Sequence, residues 1–207
     1  HKLFNFFKIS KLSNWIQYDV ELNQNELTLN GLAFRNDTIP KNISYLNGIK
    51  PSESNFTNII PSNFSNFHRY SFNYFKYLEN FEKNGSIKKI NEIKNDSILI
   101  EINEFGLLKN KLDSVIMVNF EDKLFLNKEI IKKSKNNYEY RNFKIHELKN
   151  SIINYKYLKF TNFSLKQKYA IITENKLLVS NSKKSLEKII VNISNSSTIN
   201  NDNNFNQ

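Results

Sequence analysis

Cysteine is absent from the 207 residues, which excludes disulfides, thiolate metal sites, cysteine nucleophiles and thiol redox switching in one step. Glycine and proline are scarce, at four and three, so most turns must be made by Asn, Asp and Ser, whose short side chains bond their own backbone. The glycines Gly31, Gly48, Gly85 and Gly106 spell neither a dinucleotide fingerprint nor a Walker-type loop, and nucleotide-driven enzymes are disfavoured. The histidines His1, His68 and His146 stand in no metal-ligand spacing. No G-x-S-x-G elbow offers a serine nucleophile. No apolar run approaches the roughly 18 residues of a membrane-spanning helix, and no signal peptide is present. The chain begins at His1 without Met and is expected to be a processed or trimmed product.

A hydrophobic content of 39% fits a folded protein, and the aromatic share of 14% is high, with 17 Phe and 10 Tyr. The net charge of +10 and pI near 9.5 suit an anionic partner such as nucleic acid or a lipid surface. Lys, Asn, Ile and Phe are enriched together and the lysines are spread along the chain. A/T-rich coding accounts for that pattern better than a selected basic patch does.

Patterning predicts an α+β fold, with antiparallel β-hairpins at about 16–34, 105–120 and 169–180 packed with several helices. In "WIQYDVELNQNELTLNGLAF" (Trp15 to Phe34) Ile16, Tyr18, Val20 and Leu22 alternate with Gln17, Asp19 and Glu21, the pattern of a half-buried strand with one face on a core. Residues 35–66 hold all three prolines and predict a short helix, around Ile43 to Ile49, between loops. "FHRYSFNYFKYLENF" passes from strand to a helix in which Tyr74, Tyr77, Leu78 and Phe81 share a core-facing side. Residues 87–103 predict helices, and "DKLFLNKEIIKKS" a further helix through Leu124, Leu126, Ile130 and Ile131. "NYEYRNFKIHEL" predicts one strand of unassigned face. "YAIITENKLLVSNSKKSLEKII" predicts strands Tyr169 to Thr173 and Lys176 to Ser180 about Glu174-Asn175, then a helix from about Lys183 to Val191. Residues 1–191 are expected to form one domain, the alternative being two subdomains divided near 84–97, and residues 192–207 a polar tail or linker.

Four groups of residues carry candidate chemistry. Asp19 and Glu21 share one side of a strand, as a two-carboxylate acid/base site would require, but a solvated outer face is the favoured reading. Carboxylates also pair at Glu101/Glu104 and Glu121/Asp122. Basic residues interleave with aromatics in "HRYSFNYFKY" around Arg69 and in "YEYRNFKIHELK" around Arg141. Such text can stack on and neutralise a single-stranded nucleic acid, or simply form half-buried strands. Ser182, Lys183, Lys184 and Ser185 open the last helix. They are candidate anion or ligand contacts together with Arg69 and Arg141, but with no glycine to admit a phosphate to the backbone, Ser182 is better read as the N-cap with Ser185 at the third helical position. Nine Asn-x-Ser/Thr sequons, counting from Asn36 to Asn195, follow from the richness in Asn, Ser and Thr and are not taken as marks of a eukaryotic secretory route.

Three of these stretches, "LSNWIQYDVELNQNELTLNGLAF", "IIPSN" at Ile59 to Asn63 and "YAIITENKLLVSNSKKSLEKII", with "YEYRNFKI" in the same order, resemble uncharacterised cell-envelope proteins of Bacteroidota related to bacterial domains of unknown function. The shared features are a Trp-led hairpin W-x-x-x-D-x-x-L…L-x-L-x-G, a P-x-N/D segment, and a hairpin-plus-helix with a Ser-rich junction. The resemblance implies an exported, anchored protein of the periplasm or cell envelope, of which this chain is an N-terminal portion. It implies no catalytic residue. The resulting expectation is a non-enzymatic binding or scaffolding domain without cofactor or metal. Its partner would be a protein or envelope component, and membrane association would come through an anchor upstream. A basic, aromatic-rich domain binding single-stranded nucleic acid is the alternative.

Overall fold

The structure, a computed structural model, describes residues 12–24, 27–36, 38–51, 53–83, 102–109, 113–153 and 165–202. Strands β1 (Trp15–Leu22) and β2 (Leu27–Phe34) form an antiparallel two-stranded sheet whose register pairs Trp15 with Phe34 and Leu22 with Leu27. The predicted alternation holds: Ile16, Tyr18, Val20 and Leu22 stand opposite Ala33, Gly31, Leu29 and Leu27. The predicted burial does not. Val20 is 62% and Leu22 79% exposed, because a two-stranded ribbon has no second layer of its own. Its Tyr18 lines a cleft shared with Leu12, Leu46, Ile49 and Phe72. The Tyr18 ring lies over Gly31, where a Cβ would come within 2.7 Å of Cδ1, so the aromatic covers a residue without a side chain.

The remaining strands are β3 (Asn66–Ser71), β4 (Ile102–Lys109), β5 (Ser114–Phe120), β6 (Ser134–Tyr140), β7 (Phe143–Leu148), β8 (Tyr169–Thr173) and β9 (Lys176–Ser180). They form one antiparallel sheet in the order β3-β4-β5-β9-β8-β7-β6. Among the described residues the helices are α1 (Tyr74–Lys83), α2 (Lys123–Lys133) and α3 (Lys183–Ser194), with short 3-10 turns at Asn42–Leu46 and Ile199–Asn201.

Period-two patterning sends successive side chains to opposite faces, and both faces are covered. On the first, Tyr74, Tyr77, Leu78 and Phe81 of α1 and Leu126 and Ile130 of α2 pack over Phe105, Leu107, Ile116, Val118, Leu177 and Val179. On the second, Leu186, Ile189 and Ile190 of α3, with Phe56, Ile59 and Ile60, pack over Val115, Met117, Ile145, Ile171 and Leu178. Burial on both sides explains why "SVIMVNF" and "LLVS" read as continuous apolar runs. The α+β class and the three hairpins stand as expected.

Three expectations need correction. "NYEYRNFKIHEL" is a hairpin, β6–β7, and not one strand: Arg141 and Asn142 both take positive φ, 47° and 63°, as a two-residue type I′ turn demands, and Asn supplies half of what glycine usually does. Residues 192–202 do not behave as a polar tail. The helix α3 runs on to Ser194, Ser196 turns the chain at φ 54°, and Thr198 bridges to Pro61. The Ile199 amide donates to Ile60 O at 2.9 Å and that of Asn200 to Thr57 O at 3.1 Å. Burial of the Ile199 side chain (8% exposed) anchors a segment whose composition hides it. The expected short helix of residues 43–49 is a 3-10 turn starting at Asn42. The helices expected in 87–103 and the division near 84–97 lie outside the described residues, except that Ile102 and Asn103 belong to β4; residues 203–207 also lie outside them.

Candidate binding cleft

At the β6 end of the sheet, on the face covered by α2, lies a cleft of about 650 Å³. One wall comes from α2 through Lys123, Asn127 and Ile131, spaced four residues apart and so on one side of the helix. The floor and far wall come from Ser134, Lys135, Asn136 and Asn137 of β6, Lys144 and His146 of β7, and Ile172 of β8. The sequence orders each element locally. Asp122 caps α2, its Oδ1 accepting from the amides of Leu124 at 2.7 Å and Phe125 at 3.2 Å, which orients the helix side that carries Lys123. Ser134 is the C-cap of the same helix and the first residue of β6, so helix and strand meet at the cleft with no linker.

The most constrained part is the pair Ser134 and His146. The Ser134 Oγ stands 2.6 Å from Ile130 O and 3.1 Å from His146 Nδ1. Two oxygens at 2.6 Å require a proton between them, and a hydroxyl has one proton. Ser134 therefore donates to the Ile130 carbonyl and accepts from His146 Nδ1–H. The imidazole is left with its lone pair on Nε2, which has no hydrogen-bond partner among the described residues. His146 is 9% exposed. Burial first, and the neighbouring Lys144 ammonium second, push its pKa below the ordinary histidine value and favour the neutral ring.

Charge at the cleft is lysine. Lys123 and Lys144 form no ion pair among the described residues. Lys135 is tied to Glu147 at 2.7 Å, and that carboxylate, which also accepts from Tyr138 Oη at 2.9 Å, is held below its usual pKa chiefly by the bond from Lys135. Other nearby carboxylates are engaged: Glu129 with Lys132 at 2.6 Å, and Glu174 with the buried Lys176. The Asn136 amide donates to Glu147 at 3.3 Å, and Lys123 lies near enough to Glu174 to help hold its carboxyl below the usual pKa. The cleft thus offers two cations outside any ion pair among the described residues, the amides of Asn127 and Asn137, and one uncharged acceptor. Among the described residues no group of three metal-type ligands occurs.

The residues singled out from sequence lie elsewhere and apart. Ser182 is the N-cap of α3, its Oγ accepting from the Ser185 amide at 3.3 Å, and Ser185 is the third helical residue. Lys183 places its ammonium 4.3 Å from the centre of the Tyr138 ring and 3.7 Å from Glu187, Lys184 is exposed, and the buried Ser185 lines a second, smaller cleft of about 370 Å³ with Asp113 and Lys188. Arg69 donates through Nε to Glu104 at 2.9 Å, and Arg141 donates to Asn195 Oδ1 at 3.3 Å across the β6–β7 turn. No single anion could touch all six.

Of the aromatics between His68 and Tyr77, Phe72, Tyr74 and Tyr77 are buried and unavailable to stack on bases. Asp19 and Glu21 are exposed on the outer side of β1 and belong to none of the three clefts described. His146 was weighed in the sequence, but its pairing with Ser134 was not read there because twelve residues and a glycine-free turn separate them. Asn142 before an alternating run was the one available signal. Comparison of the chain with protein-family models, curated proteins and solved structures finds no match.

Proposed function

We propose that the protein is a non-enzymatic binding domain whose α2–β7 cleft takes a small anion. The observation that carries this is the convergence of Lys123 and Lys144, neither in an ion pair among the described residues, with a buried uncharged histidine in one concave site of about 650 Å³. Lys123 lies near the exposed Glu174 carboxylate and Lys144 stands opposite Glu139 in the β6–β7 ladder, but neither pair closes to an ion pair among the described residues, so the two ammonium groups leave a positive potential that an anion relieves. The serine–histidine pair supports a binding role over a hydrolytic one. A nucleophilic serine must give its proton to the histidine lone pair, whereas here the histidine donates and the serine proton is held by Ile130 O at 2.6 Å.

The resemblance of Leu12 to Phe34, Ile59 to Asn63 and Tyr169 to Ile190 to Bacteroidota envelope proteins supports a place in the bacterial cell envelope, as part of an exported and anchored protein. Fractionation of the full-length protein into the cytosol would overturn that placement. Calorimetric titration with sulfate and phosphate tests the cleft. Replacing both cations, Lys123→Glu with Lys144→Glu, is expected to weaken anion binding by about tenfold or more, the loss of two charge-assisted contacts. Binding unchanged in that variant, or none in the native protein, would refute the assignment.

A further inference from the structure

We infer that the His146 end of the cleft selects an anion that still carries a proton, hydrogen phosphate, over anions of the same charge that carry none. The inference rests on the cleft being the anion site and adds what that site discriminates.

Hydrogen-bond arithmetic supplies the selectivity. The Ser134 hydroxyl, fixed on Ile130 O at 2.6 Å, accepts from His146 Nδ1 at 3.1 Å, so the ring presents an acceptor at Nε2 and no donor. Monohydrogen phosphate and sulfate are both tetrahedral dianions. Lys123 and Lys144 attract them about equally, since an ammonium acts as a point charge. They differ in one hydroxyl. Monohydrogen phosphate can turn its P–OH toward Nε2 and complete the bond. Sulfate must set an oxygen lone pair against the nitrogen lone pair, leaving the one open acceptor of a mostly buried ring unmatched. A site built to bond a ligand hydroxyl rejects the analogue without one more strongly than any contact of shape alone. Asn127 and Asn137, whose amides donate as well as accept, can serve the remaining oxygens whichever anion is present.

The same reasoning excludes other phosphates at alkaline pH. A phosphomonoester above its second pKa of about 6 is a dianion without a proton, and a phosphodiester has none at any working pH. Nucleic acid and phospholipid diesters are therefore not the ligand of this end of the cleft.

Isothermal titration calorimetry of the full chain at pH 8 tests this with sodium phosphate, sodium sulfate, methyl phosphate and dimethyl phosphate. Phosphate is expected to bind about tenfold to a hundredfold more tightly than sulfate, the range for one unmatched hydrogen bond, and methyl phosphate, a dianion without a hydroxyl, to fall with sulfate. His146→Phe removes the acceptor. Ser134→Ala leaves the ring in place but releases its tautomer, so that Nε2–H can face the cleft. Both variants are expected to bring the phosphate-to-sulfate ratio near one, and Ser134→Ala does so while retaining the affinity for sulfate. Sulfate or dimethyl phosphate bound as tightly as phosphate would overturn the selectivity and leave the cleft as a general anion site. Absence of binding by every anion would overturn the cleft assignment itself. A ratio unchanged in Ser134→Ala would overturn the role given to the serine.

Discussion

Replacing Glu104 by Gln should be among the most damaging single changes in the protein, although it removes only a charge. The Glu104 side chain is 1% exposed. Its Oε1 accepts from Ser54 Oγ at 3.0 Å and Arg69 Nε at 2.9 Å, and its Oε2 accepts from the Asn55 amide at 2.9 Å. Three donors converge, so both carboxylate oxygens are used. A glutamine can keep one oxygen where two donors meet, but its NH2 then faces the Asn55 N–H, donor against donor. Leaving that buried amide unmade costs about 1–3 kcal/mol, and reducing the Arg69 ion pair to a bond from the guanidinium to a neutral amide oxygen costs about 1 kcal/mol more. The expected loss is about 2–4 kcal/mol. Arg69→Met removes a single donor whose side chain is 33% exposed, and solvent screening reduces its loss to about 1–2 kcal/mol. Urea unfolding followed by far-UV circular dichroism reads both, and the double variant gives their coupling. Glu104→Gln within about 0.5 kcal/mol of the native protein, the range of an ordinary surface change, would refute the reasoning. Arg69 already has an anionic partner within the chain, Glu104.

Gly106→Ala should destabilise by about 1–3 kcal/mol, the range for overpacking, because a Cβ there comes within 2.7 Å of Phe67 Cε2 and 3.1 Å of Phe56 Cε2. Adding Phe67→Leu should restore part of the loss in thermal unfolding, and no restoration would show that the clash lies elsewhere. Stability should also fall as pH drops below about 6.5. His146 has a folded pKa lowered by burial, so the unfolded chain takes up its proton first, and the loss levels off once the folded pKa is reached. His68 is lowered in the same sense, and carboxylates such as Glu174 act at lower pH. His146→Gln should therefore flatten the upper part of the profile without abolishing it; an unchanged slope above pH 6 would count against a neutral His146.

How far the sequence disclosed this molecule depended on the range of the interaction involved. Ser182 as N-cap, Ser185 at the third helical position and the turn at Glu174-Asn175 are local, set by residues within four positions, and all are found as expected. The α1 face of Tyr74, Tyr77, Leu78 and Phe81 follows from helical period alone. The β6–β7 hairpin was hidden because Arg141 adopts positive φ without being glycine. The segment at Ile199 was hidden because one buried isoleucine holds a run otherwise polar in text. The β1–β2 ribbon shows the reverse case: alternation announced an apolar face correctly, but whether a face is covered depends on a second layer, which period two cannot specify.

The cleft was illegible for a related reason, and the same reason gives it its chemistry. Lys123 and Lys144 are unremarkable among 30 lysines and arginines, and His146 is one of three histidines, since a composition rich in lysine conceals any lysine that matters. What distinguishes them is the company of Ser134, placed by the C-cap of α2 at the point where the chain enters β6. The helix end fixes the serine proton on Ile130 O, the serine fixes the histidine tautomer, and the strand pairing of His146 with Ala170 and Asn137 holds the ring in the sheet. A backbone requirement, the need of a helix C-terminus for a donor, thereby sets the polarity of a side chain twelve residues away. Moving that cap would change which face of the imidazole bonds outward while leaving every cation in place, so the selectivity of the cleft and its affinity are separable properties of the fold.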